Sequence, residues 1–421
     1  MPEFSPIWVC QVERCTSVSD IAVDARYGAA RLLVTAGGIP VGLATVALTS
    51  GHATASAVRT AVDEQVGPDL AVEARPSGSA PLTVVIATRN RPESLRRCIS
   101  GVLAGDHPAV TLIVVDNDPS DERSAEVVAA FNAPNVIYVR EPRRGISVGR
   151  NRGLREAATP VVAFTDDDTE VDASWASRIA GAFAAEPDLV CLSGPVLAAE
   201  LSTEEELAAD SAFAWNKGFV RRRFSLEDPP HDSAIFPFSP GLFGIGANFA
   251  VRSGVARAVG GFDEALGTGS RSRGGEDCEF LVRLVLAGYQ VGYEPSVFVW
   301  HHHRSSPQAL RVQIRGYAVG LGAFLGKIAL DRPARMAALR RLPAAFAQLR
   351  RIGQRESGAC DHRQPHARRE RALGLLSGPW IYLRTSRAVR KAGGQVPPLT
   401  VRPDQSGIAL REQRADAAEL R

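Results

Sequence analysis

The sequence predicts an α/β fold in which a Rossmann-like, mixed but mainly parallel sheet is flanked by helices. The first observation is that short apolar runs alternate with amphipathic stretches from Leu82 onward, as in βαβ units. The second is that polar clusters follow three of these runs, at Thr88–Asn90, Asp116–Asp118 and Asp166–Asp168. Parallel sheets bind ligands at the carboxyl ends of their strands. The sequence therefore predicts a ligand site along one edge of the sheet.

Residues 1–75 are predicted to form a small β-rich module ahead of this domain. The apolar runs Arg31–Val34 and Val41–Val46 flank a Gly-Gly-Ile-Pro turn, which is typical of a hairpin. A short helix over Ala57–Val66 is expected to close the module. The module contains no catalytic constellation, which favours a structural or docking role. Residues 76–81 have the composition of a linker.

Residues 82–306 are the predicted α/β domain. Its strands are expected at Leu82–Ala87, Val110–Val115, Val136–Val139, Val161–Phe164 and Val297–Val299. Helices are expected from Pro92, over Ser124–Phe131 and over Val148–Ala158. Proline suits the first helical position, because the backbone N–H that it lacks has no helical partner there.

The charge of the chain is divided unevenly. The 421 residues carry a net charge of +3, but residues 304–421 contain 23 Lys/Arg against 8 Asp/Glu, and the preceding residues contain 26 against 38. Residues 307–392 are predicted to be a basic helical extension, with an apolar stripe at Met336, Leu339, Leu342, Phe346 and Leu349. Such a helix suits contact with an anionic membrane surface, packing on the α/β domain, or packing on a partner subunit. Residues 393–421 are predicted to be a disordered tail.

The cysteine content and the termini bear on location. Six scattered cysteines without C-x-x-C spacing argue against a disulfide framework or a zinc ribbon, and favour a reducing compartment. The N-terminus shows no signal-peptide pattern, and the most apolar segment, Leu32–Leu48, is short and broken by a turn. We expect a cytoplasmic protein, peripheral at the inner face of the membrane if the basic extension binds lipid. Nucleic acid is not an expected partner.

Three consecutive aspartates, Asp166–Asp168, end the fourth strand of the domain. Like charges repel at such a strand end, and a metal cation is the usual reason to hold them there. A solvated acidic turn is the alternative. The chain has neither G-x-G-x-x-G after its first strand nor G-x-x-x-x-G-K-[ST], which disfavours a nicotinamide dehydrogenase and a P-loop enzyme. A bound diphosphate would then be held by a divalent cation.

Five motifs follow one another between Pro81 and Arg304. They are an opening strand and polar turn (Leu82–Arg91), a second strand with its acid (Val114–Asn117), an Arg-Asn-x-Gly helix start (Gly149–Gly153), a D-x-D motif (Phe164–Asp168) and an E-D motif (Gly274–Phe280). In this order they resemble the nucleotide-sugar-dependent glycosyltransferases of family 2, which have the GT-A fold and invert the anomeric centre. The resemblance covers just over half of the chain.

The resemblance implies a nucleoside-diphosphate sugar as donor, a divalent cation (Mn²⁺ or Mg²⁺) as cofactor, and a hydroxyl-bearing acceptor such as a glycan or a lipid-linked glycan. Nucleotide-sugar contacts are expected from Thr88, Arg89, Asn90, Asp116, Arg150, Asn151, Asp166 and Asp167. The expected metal ligands are Asp168 and Asp166, with His303 as a further ligand. Asp277 is the expected general base, and Glu276 is expected beside it to orient the acceptor or the helix end.

The residues alone leave structural alternatives open. Glu276 and Asp277 precede an apolar helical stripe, so they also suit a first helical turn, where the helix dipole favours acids. Since successive strand residues point to opposite faces, His301 or His303 is favoured over His302 as a site residue. The alternative is that all three histidines lie at a solvent-exposed strand end and take no part in the site.

Two other functions also fit the acids. A sugar-phosphate nucleotidyltransferase uses paired acids on a metal, but it normally carries a Gly-rich loop with Arg or Lys after the first strand. A non-catalytic sugar-nucleotide-binding protein would keep the fold without turnover. Arg143, Arg144 and Arg150 are candidate phosphate-binding cations, with surface solvation as the alternative for Arg143 and Arg144.

Overall fold

The structure of the chain is a computed structural model that describes residues 4–16, 18–67, 75–239, 241–347, 350–351 and 367–400. The N-terminal module contains β1 (Ile7–Glu13), β2 (Ile21–Ala22), β3 (Ala29–Ala36), β4 (Ile39–Ala47), β5 (His52–Ala53) and α1 (Ala55–Val66). β3 and β4 form the predicted antiparallel hairpin, and β1 lies parallel to β3. Gly37 and Gly38 have positive φ at the hairpin turn, where glycine meets no steric penalty.

The α/β domain follows. Its strands are β6 (Leu82–Thr88), β7 (Val110–Asn117), β8 (Val136–Glu141), β9 (Val161–Asp166), β10 (Thr169–Val171), β11 (Leu189–Ser193), β12 (Val196–Ala198), β13 (Arg222–Phe224), β14 (Asn248–Arg252), β15 (Gln290–Tyr293) and β16 (Val299–His301). Its helices are α2 (Pro92–Leu103), α3 (Arg123–Phe131), α4 (Ile146–Glu156), α5 (Trp175–Ala185), α6 (Glu204–Phe213), α7 (Ser253–Ala258) and α8 (Glu276–Leu286). The strands and helices predicted between residues 82 and 164 coincide with β6 to β9 and α2 to α4.

The central sheet has eight strands in the order β13-β15-β11-β14-β9-β6-β7-β8. Six of them run in one direction, and β13 and β14 run the other way. The predicted fold class, a mixed and mainly parallel sheet flanked by helices, is confirmed. A second sheet, β10-β16-β12, brings the strand that ends at His301 beside the D-x-D segment, with Thr169 opposite His301.

Helix α2 shows how the local sequence produces this packing. Pro92 occupies its first turn, and Leu95, Ile99 and Val102 recur at helical spacing and are buried against the sheet. A helix whose apolar residues recur at that spacing buries one stripe and leaves the other face to water. The same logic fixes α2 close to the ends of β6 and β9, where the polar clusters lie.

The C-terminal extension contains α9 (Pro307–Leu330), α10 (Arg332–Leu339), helical residues 342–347, and α11 (Ala367–Lys391). α9 and α11 pack closely through glycines, because a Cβ added to Gly378 would lie 2.4 Å from the carbonyl carbon of Gly322. Another face of α9 contacts the segment before α8, where a Cβ on Gly320 would lie 2.7 Å from Gly274. Among the described residues, no helix combines the length and apolar character needed to cross a bilayer.

Residues 393–400 differ from the disordered tail expected from the sequence. Leu399 is fully buried, Gln395 accepts a backbone hydrogen bond from Glu264, and the Thr400 hydroxyl bonds to Asp331. Tertiary contacts with the α/β domain and α10 thus order a segment that is rich in glycine and proline. Residues 401–421 and Leu349 lie outside the described residues.

A buried group of charged side chains joins the extension to the α/β domain. Lys327 of α9 contacts Asp263 (2.7 Å) and Glu279 (2.8 Å), and Arg283 pairs with the same Glu279 at 2.8 Å. The Tyr382 hydroxyl of α11 donates to Asp263 at 2.8 Å. Since every member is buried, the partners hold one another's charge in place.

We expect Lys327→Met to destabilise the protein by roughly 3–5 kcal/mol, because it leaves two buried carboxylates short of a cation. Denaturant unfolding followed by circular dichroism would measure the change. Lys391→Met, at an exposed lysine of α11, is the matched control and should change stability by less than about 0.5 kcal/mol. A loss below about 1 kcal/mol for Lys327→Met would contradict this role for the cluster.

Candidate active site

The carboxyl ends of β6, β7 and β9 lie side by side at one edge of the central sheet. Thr88 pairs in register with Asp116, and Ala87 pairs with Asp166. The three polar clusters predicted from the sequence therefore meet at this edge. Parallel register is the cause, since it aligns strand ends that are distant in sequence.

The carboxylate of Asp116 is fully buried and only half satisfied. Its Oδ2 accepts a hydrogen bond from the Tyr138 hydroxyl at 2.9 Å, whereas Oδ1 is buried without a hydrogen-bond partner. Burial raises the pKa of Asp116, and the bond from Tyr138 opposes that shift. A buried acceptor without a donor costs free energy unless a ligand supplies one. Asp116 Oδ1 is thus available to a ligand N–H or O–H.

The residues that follow β6 are held by their neighbours. The Thr88 hydroxyl donates to Asp167 Oδ2 at 2.8 Å, and Arg89 pairs with Asp118 at 3.0 Å. Asn90 has a φ of +55°, a region in which asparagine is more tolerated than most residues, and its Oδ1 accepts a backbone N–H from the loop after β7. These contacts fix the turn beside Asp116.

Asp168 is surrounded by positive or protonatable groups. His301 Nε2 lies 3.2 Å from Oδ1, and Arg91 and Arg304 lie 3.0 and 3.1 Å from Oδ2. Burial alone would raise its pKa, but His301 and the two arginines hold the pKa of Asp168 well below its usual range. The neighbouring Asp167 is also buried, and burial beside Asp168 raises its pKa to about 6. Asp168 is therefore the first carboxyl of this pair to ionise as the pH rises.

Arg150 connects the D-x-D acids to the E-D motif. Its buried guanidinium donates to Asp166 Oδ1 (2.9 Å), Glu276 Oε1 (3.1 Å) and the carbonyl oxygen of Gly246 (2.8 Å). The backbone N–H of Gly246 in turn donates to Asp277 Oδ2 at 2.8 Å. One arginine and one glycine thus hold the two acidic motifs together.

Glu276 and Asp277 lie in the first turn of α8, as the sequence predicted. Asp277 is partly exposed, and its two oxygens accept backbone N–H bonds from Gly246 and Cys278. Glu276 is buried, and burial followed by the charge of Asp277 raises its pKa to about 7 despite Arg150. Glu276 therefore anchors Arg150, and Asp277 is the more accessible carboxylate.

The side chains of the three consecutive histidines point in alternating directions, as expected for a strand. The histidine nearest the D-x-D acids is His301. His302 points the other way, between Glu170 (2.7 Å) and Glu200 (3.1 Å). His303, expected to be a metal ligand, faces Asp210 at 3.9 Å instead. The reason is that β16 pairs with β10 only as far as His301, which puts that side chain beside Asp168.

Asn151 also differs from its expected role at the nucleotide. Its amide nitrogen donates to the Phe262 carbonyl and to Glu264, and its oxygen accepts the Phe262 N–H. With its donors and acceptor used, the buried Asn151 positions the loop before α8. Arg143 pairs with Glu141 and Glu264 at the domain surface, while Arg144 is exposed.

The donor set at Asp168 fits a divalent cation. A carboxylate oxygen and an imidazole nitrogen 3.2 Å apart can share one ion, and Mg²⁺-type sites take one or two protein ligands plus substrate phosphates and water. Within the described part of the chain, no three His, Cys, Asp or Glu side chains converge to enclose an ion. The remaining ligands would therefore come from phosphate oxygens and water.

A cavity of about 590 Å³ is lined in part by the acids of the two motifs. Its polar lining includes Asp166, Arg150, Glu276, Asp277 and His301. Much of the remaining lining is apolar and comes from the end of α6, residues 232–239 and 241–246, α9 and the helical residues after α10; it includes Phe213, Trp215, Ile235, Leu242, Tyr317, Leu321, Ala344 and Ala347. One site thus combines carboxylates with an aromatic and aliphatic wall.

Sequence reasoning missed several of these residues. Arg91 lies directly after the strand-end cluster and Arg304 directly after the histidines, so their positions in the sequence were a usable signal. Trp215 packs edge-on against His301, with ring centroids 4.8 Å apart. No local sequence pattern predicts that contact. The pairing of Arg150 with Glu276 joins residues 126 positions apart, which only the tertiary structure determines.

Part of the α/β domain is similar to known proteins. The family model described as Glycosyl transferase family 2 matches residues 83–241, which include Thr88, Asp116, Arg150 and the D-x-D segment, but end before Asp277. The pre-mycofactocin glycosyltransferase of Mycobacterium tuberculosis is 28% identical over 232 residues, which cover 55% of this chain and 45% of that protein. The succinoglycan biosynthesis protein ExoM of Rhizobium meliloti is 25% identical over 234 residues, covering 53% and 67%.

A solved structure gives a weaker similarity. The mannosyltransferase PcManGT from Pyrobaculum calidifontis, in complex with GDP-Man and Mn²⁺, aligns with 83% of this chain and 89% of that chain, at 18% identity and a TM-score of 0.44. This level of similarity identifies no ligand for the present chain, which spans about half the length of the mycobacterial relative. Residues 83–241, in the domain that begins at β6, are thus identified as a glycosyltransferase family 2 domain.

Proposed function

We propose that this protein is an inverting glycosyltransferase that moves a sugar from a nucleoside-diphosphate sugar to an acceptor hydroxyl. The observation that carries the proposal is that Asp166 and Asp277 line one cavity and are joined through Arg150 and Gly246. A sugar donor bound at the strand ends and a general base on α8 would then face the same cavity. The family match supports sugar transfer as the class of reaction.

The donor's nucleoside is proposed to lie at the ends of β6 and β7. Asp116 Oδ1, which has no hydrogen-bond partner in the protein, would accept a hydrogen bond from the nucleobase. Thr88 and Asn90 shape the turn beside it. The diphosphate would extend toward Asp168, where Arg91 and Arg304 supply positive charge. Arginine forks suit phosphate oxygens geometrically as well as electrostatically.

Transfer requires a base on the acceptor side of the anomeric carbon. In the proposed step, the acceptor oxygen bonds to that carbon as the bond to the diphosphate oxygen breaks, and the diphosphate leaves with the electron pair. The hydroxyl proton passes to Asp277, whose carboxylate is held by two backbone N–H groups and faces the cavity. Attack from the side opposite the leaving group inverts the anomeric configuration.

The leaving diphosphate carries charge that the protein must stabilise. Asp168 and His301 would hold a divalent cation, Mn²⁺ or Mg²⁺, which when bound neutralises charge on the phosphate oxygens. Arg91 and Arg304 add to that stabilisation from the protein itself, because oriented cations act strongly in a site that excludes water. Glu276 keeps Arg150 in place between the two halves of the site.

The acceptor is proposed to occupy the aromatic and aliphatic side of the cavity, near Trp215 and Tyr317. Sugar rings and other amphipathic acceptors pack well on such side chains. The mycobacterial relative is named for pre-mycofactocin, and we do not propose that molecule as the acceptor of this chain. A cytoplasmic location remains part of the proposal.

A thermal-shift panel tests the proposal. Nucleoside diphosphates and nucleotide sugars would be added with and without Mn²⁺, and the melting temperature recorded. We expect one nucleobase series to raise the melting temperature in a metal-dependent and concentration-dependent way, because a ligand that binds only the folded state stabilises it by mass action. No stabilisation by any nucleoside diphosphate at saturating concentration would contradict donor binding.

A further inference from the structure

One wall of the cavity is formed by a helical segment that also has an exposed side. The helical residues that follow α10 place Ala344, Ala347 and Arg351 toward the cavity. On the same segment, Leu342 is 44% exposed and Phe346 is 64% exposed. The segment that closes the acceptor side of the cavity therefore presents large apolar side chains outward.

α10 extends this outward surface. Met336 and Leu339 are about half exposed, and with Leu342 and Phe346 they recur at intervals of three or four residues. We call these four residues the apolar face. Four large apolar side chains exposed within eleven residues are more than the single exposures that are ordinary on a soluble protein.

The segment that carries the apolar face is rich in arginine. Residues 332–351 contain six arginines and no Asp or Glu. Arg335, Arg340 and Arg350 are exposed, and none of the six forms an ion pair with an acid of the described residues. This surface combines exposed apolar groups with uncompensated positive charge.

α11 repeats the combination. Leu373, Leu376 and Trp380 are each more than half exposed and recur at spacings of three and four. The guanidinium of Arg384 lies 5.0 Å from the Trp380 ring centre. Tryptophan and arginine together are typical of protein surfaces that lie at the level of lipid headgroups.

We propose that the apolar face and its arginines dock on an anionic lipid bilayer, with the cavity entrance held at the lipid surface. The charge favours an anionic bilayer as the partner, because arginines attract anionic headgroups. Leu, Met and Phe then insert at the boundary between the headgroups and the acyl chains. Docking would orient the wall formed by Ala344, Ala347 and Arg351 toward the membrane. A lipid-borne acceptor would then reach the site without crossing open water. The docking does not depend on the proposed donor chemistry.

Sedimentation with vesicles tests the docking on the full chain. We expect binding to vesicles that contain phosphatidylglycerol, much weaker binding to phosphatidylcholine alone, and weakening by added salt. Arg340→Gln together with Arg341→Gln should weaken binding roughly 10- to 30-fold, at about 1 kcal/mol for each arginine near the surface. Phe346→Ser should also weaken binding, and its effect should persist at high salt.

The control pair is Arg96→Gln with Arg97→Gln, two adjacent exposed arginines on α2. This pair removes the same charge elsewhere and should leave vesicle binding unchanged. Equal loss from both pairs, or no preference for phosphatidylglycerol, would overturn the proposal. Self-association of the chain that the Phe346→Ser variant abolishes, without lipid binding, would instead identify the face as a contact between copies. Unchanged melting temperature and nucleotide binding in each variant would separate these results from a failure of folding or of the donor site.

Discussion

Asp277→Asn is expected to lower the rate of nucleoside diphosphate release from the donor by roughly 10²- to 10⁴-fold, the usual contribution of a general base. The asparagine side-chain oxygen can still accept the Gly246 N–H, so the contact between the loop and α8 is kept, whereas the bond from the adjacent Cys278 N–H is lost. What the amide cannot do is take the acceptor proton. The loss should therefore fall on kcat, with nucleotide binding retained.

Two comparisons sharpen this result. Asp188→Asn makes the same change at an exposed position between α5 and β11 and should leave the rate unchanged. Glu276→Gln tests whether Glu276 and Asp277 have different roles. It weakens the hydrogen bond that holds Arg150 but keeps Asp277, the proposed base. A rate for Asp277→Asn within about twofold of the unmodified protein would exclude Asp277 as the base.

Asp168→Asn is expected to remove the metal-dependent part of nucleotide diphosphate binding, weakening affinity by roughly 100-fold or more in the presence of Mn²⁺. Loss of a group that only supports a metal ligand already costs 10- to 100-fold, and Asp168 is proposed to be a ligand itself. Calorimetric titration with and without Mn²⁺ would measure the change. Affinity in the absence of metal should change far less.

The control for this variant is Asp63→Asn on α1, an exposed aspartate of the N-terminal module. The melting temperature of the ligand-free Asp168→Asn protein should also be recorded, since the variant removes the partner of three cationic groups. Equal dependence on Mn²⁺ in the variant and the unmodified protein would show that the metal, if bound, is held elsewhere.

The local sequence was sufficient to predict the first half of the α/β domain. β6 to β9 are short apolar runs, and the helices between them have clear apolar stripes such as Leu95, Ile99 and Val102. The strand pattern and the helix pattern are therefore both visible in the sequence. Parallel pairing then implies that Thr88, Asp116 and Asp166 meet, because the ends of such strands share an edge.

Other features depend on long-range contacts that no local pattern records. The antiparallel β14 lies between β9 and β11, an insertion that strand propensity cannot reveal. Asn151 looks like a ligand-contacting residue in its motif, but the loop at Phe262 uses all of its hydrogen-bonding capacity. His301 rather than His303 approaches Asp168 because of where β16 stops pairing with β10.

The C-terminal extension shows the same limit. Its helices and their basic character were predictable, since spacing and charge are local properties. The buried Lys327–Asp263 contact and the burial of Leu399 were not, because each needs a partner from the α/β domain or from the neighbouring helices.

The identity of the nucleotide released from the donor tests the central claim most directly. The protein would be incubated with the nucleotide sugar that gives the largest thermal shift, and the products separated by chromatography and mass spectrometry. The account predicts a nucleoside diphosphate, formed faster when a suitable acceptor is present and lost in Asp277→Asn. Release or consumption of pyrophosphate, or nucleotide binding without any turnover, would contradict it.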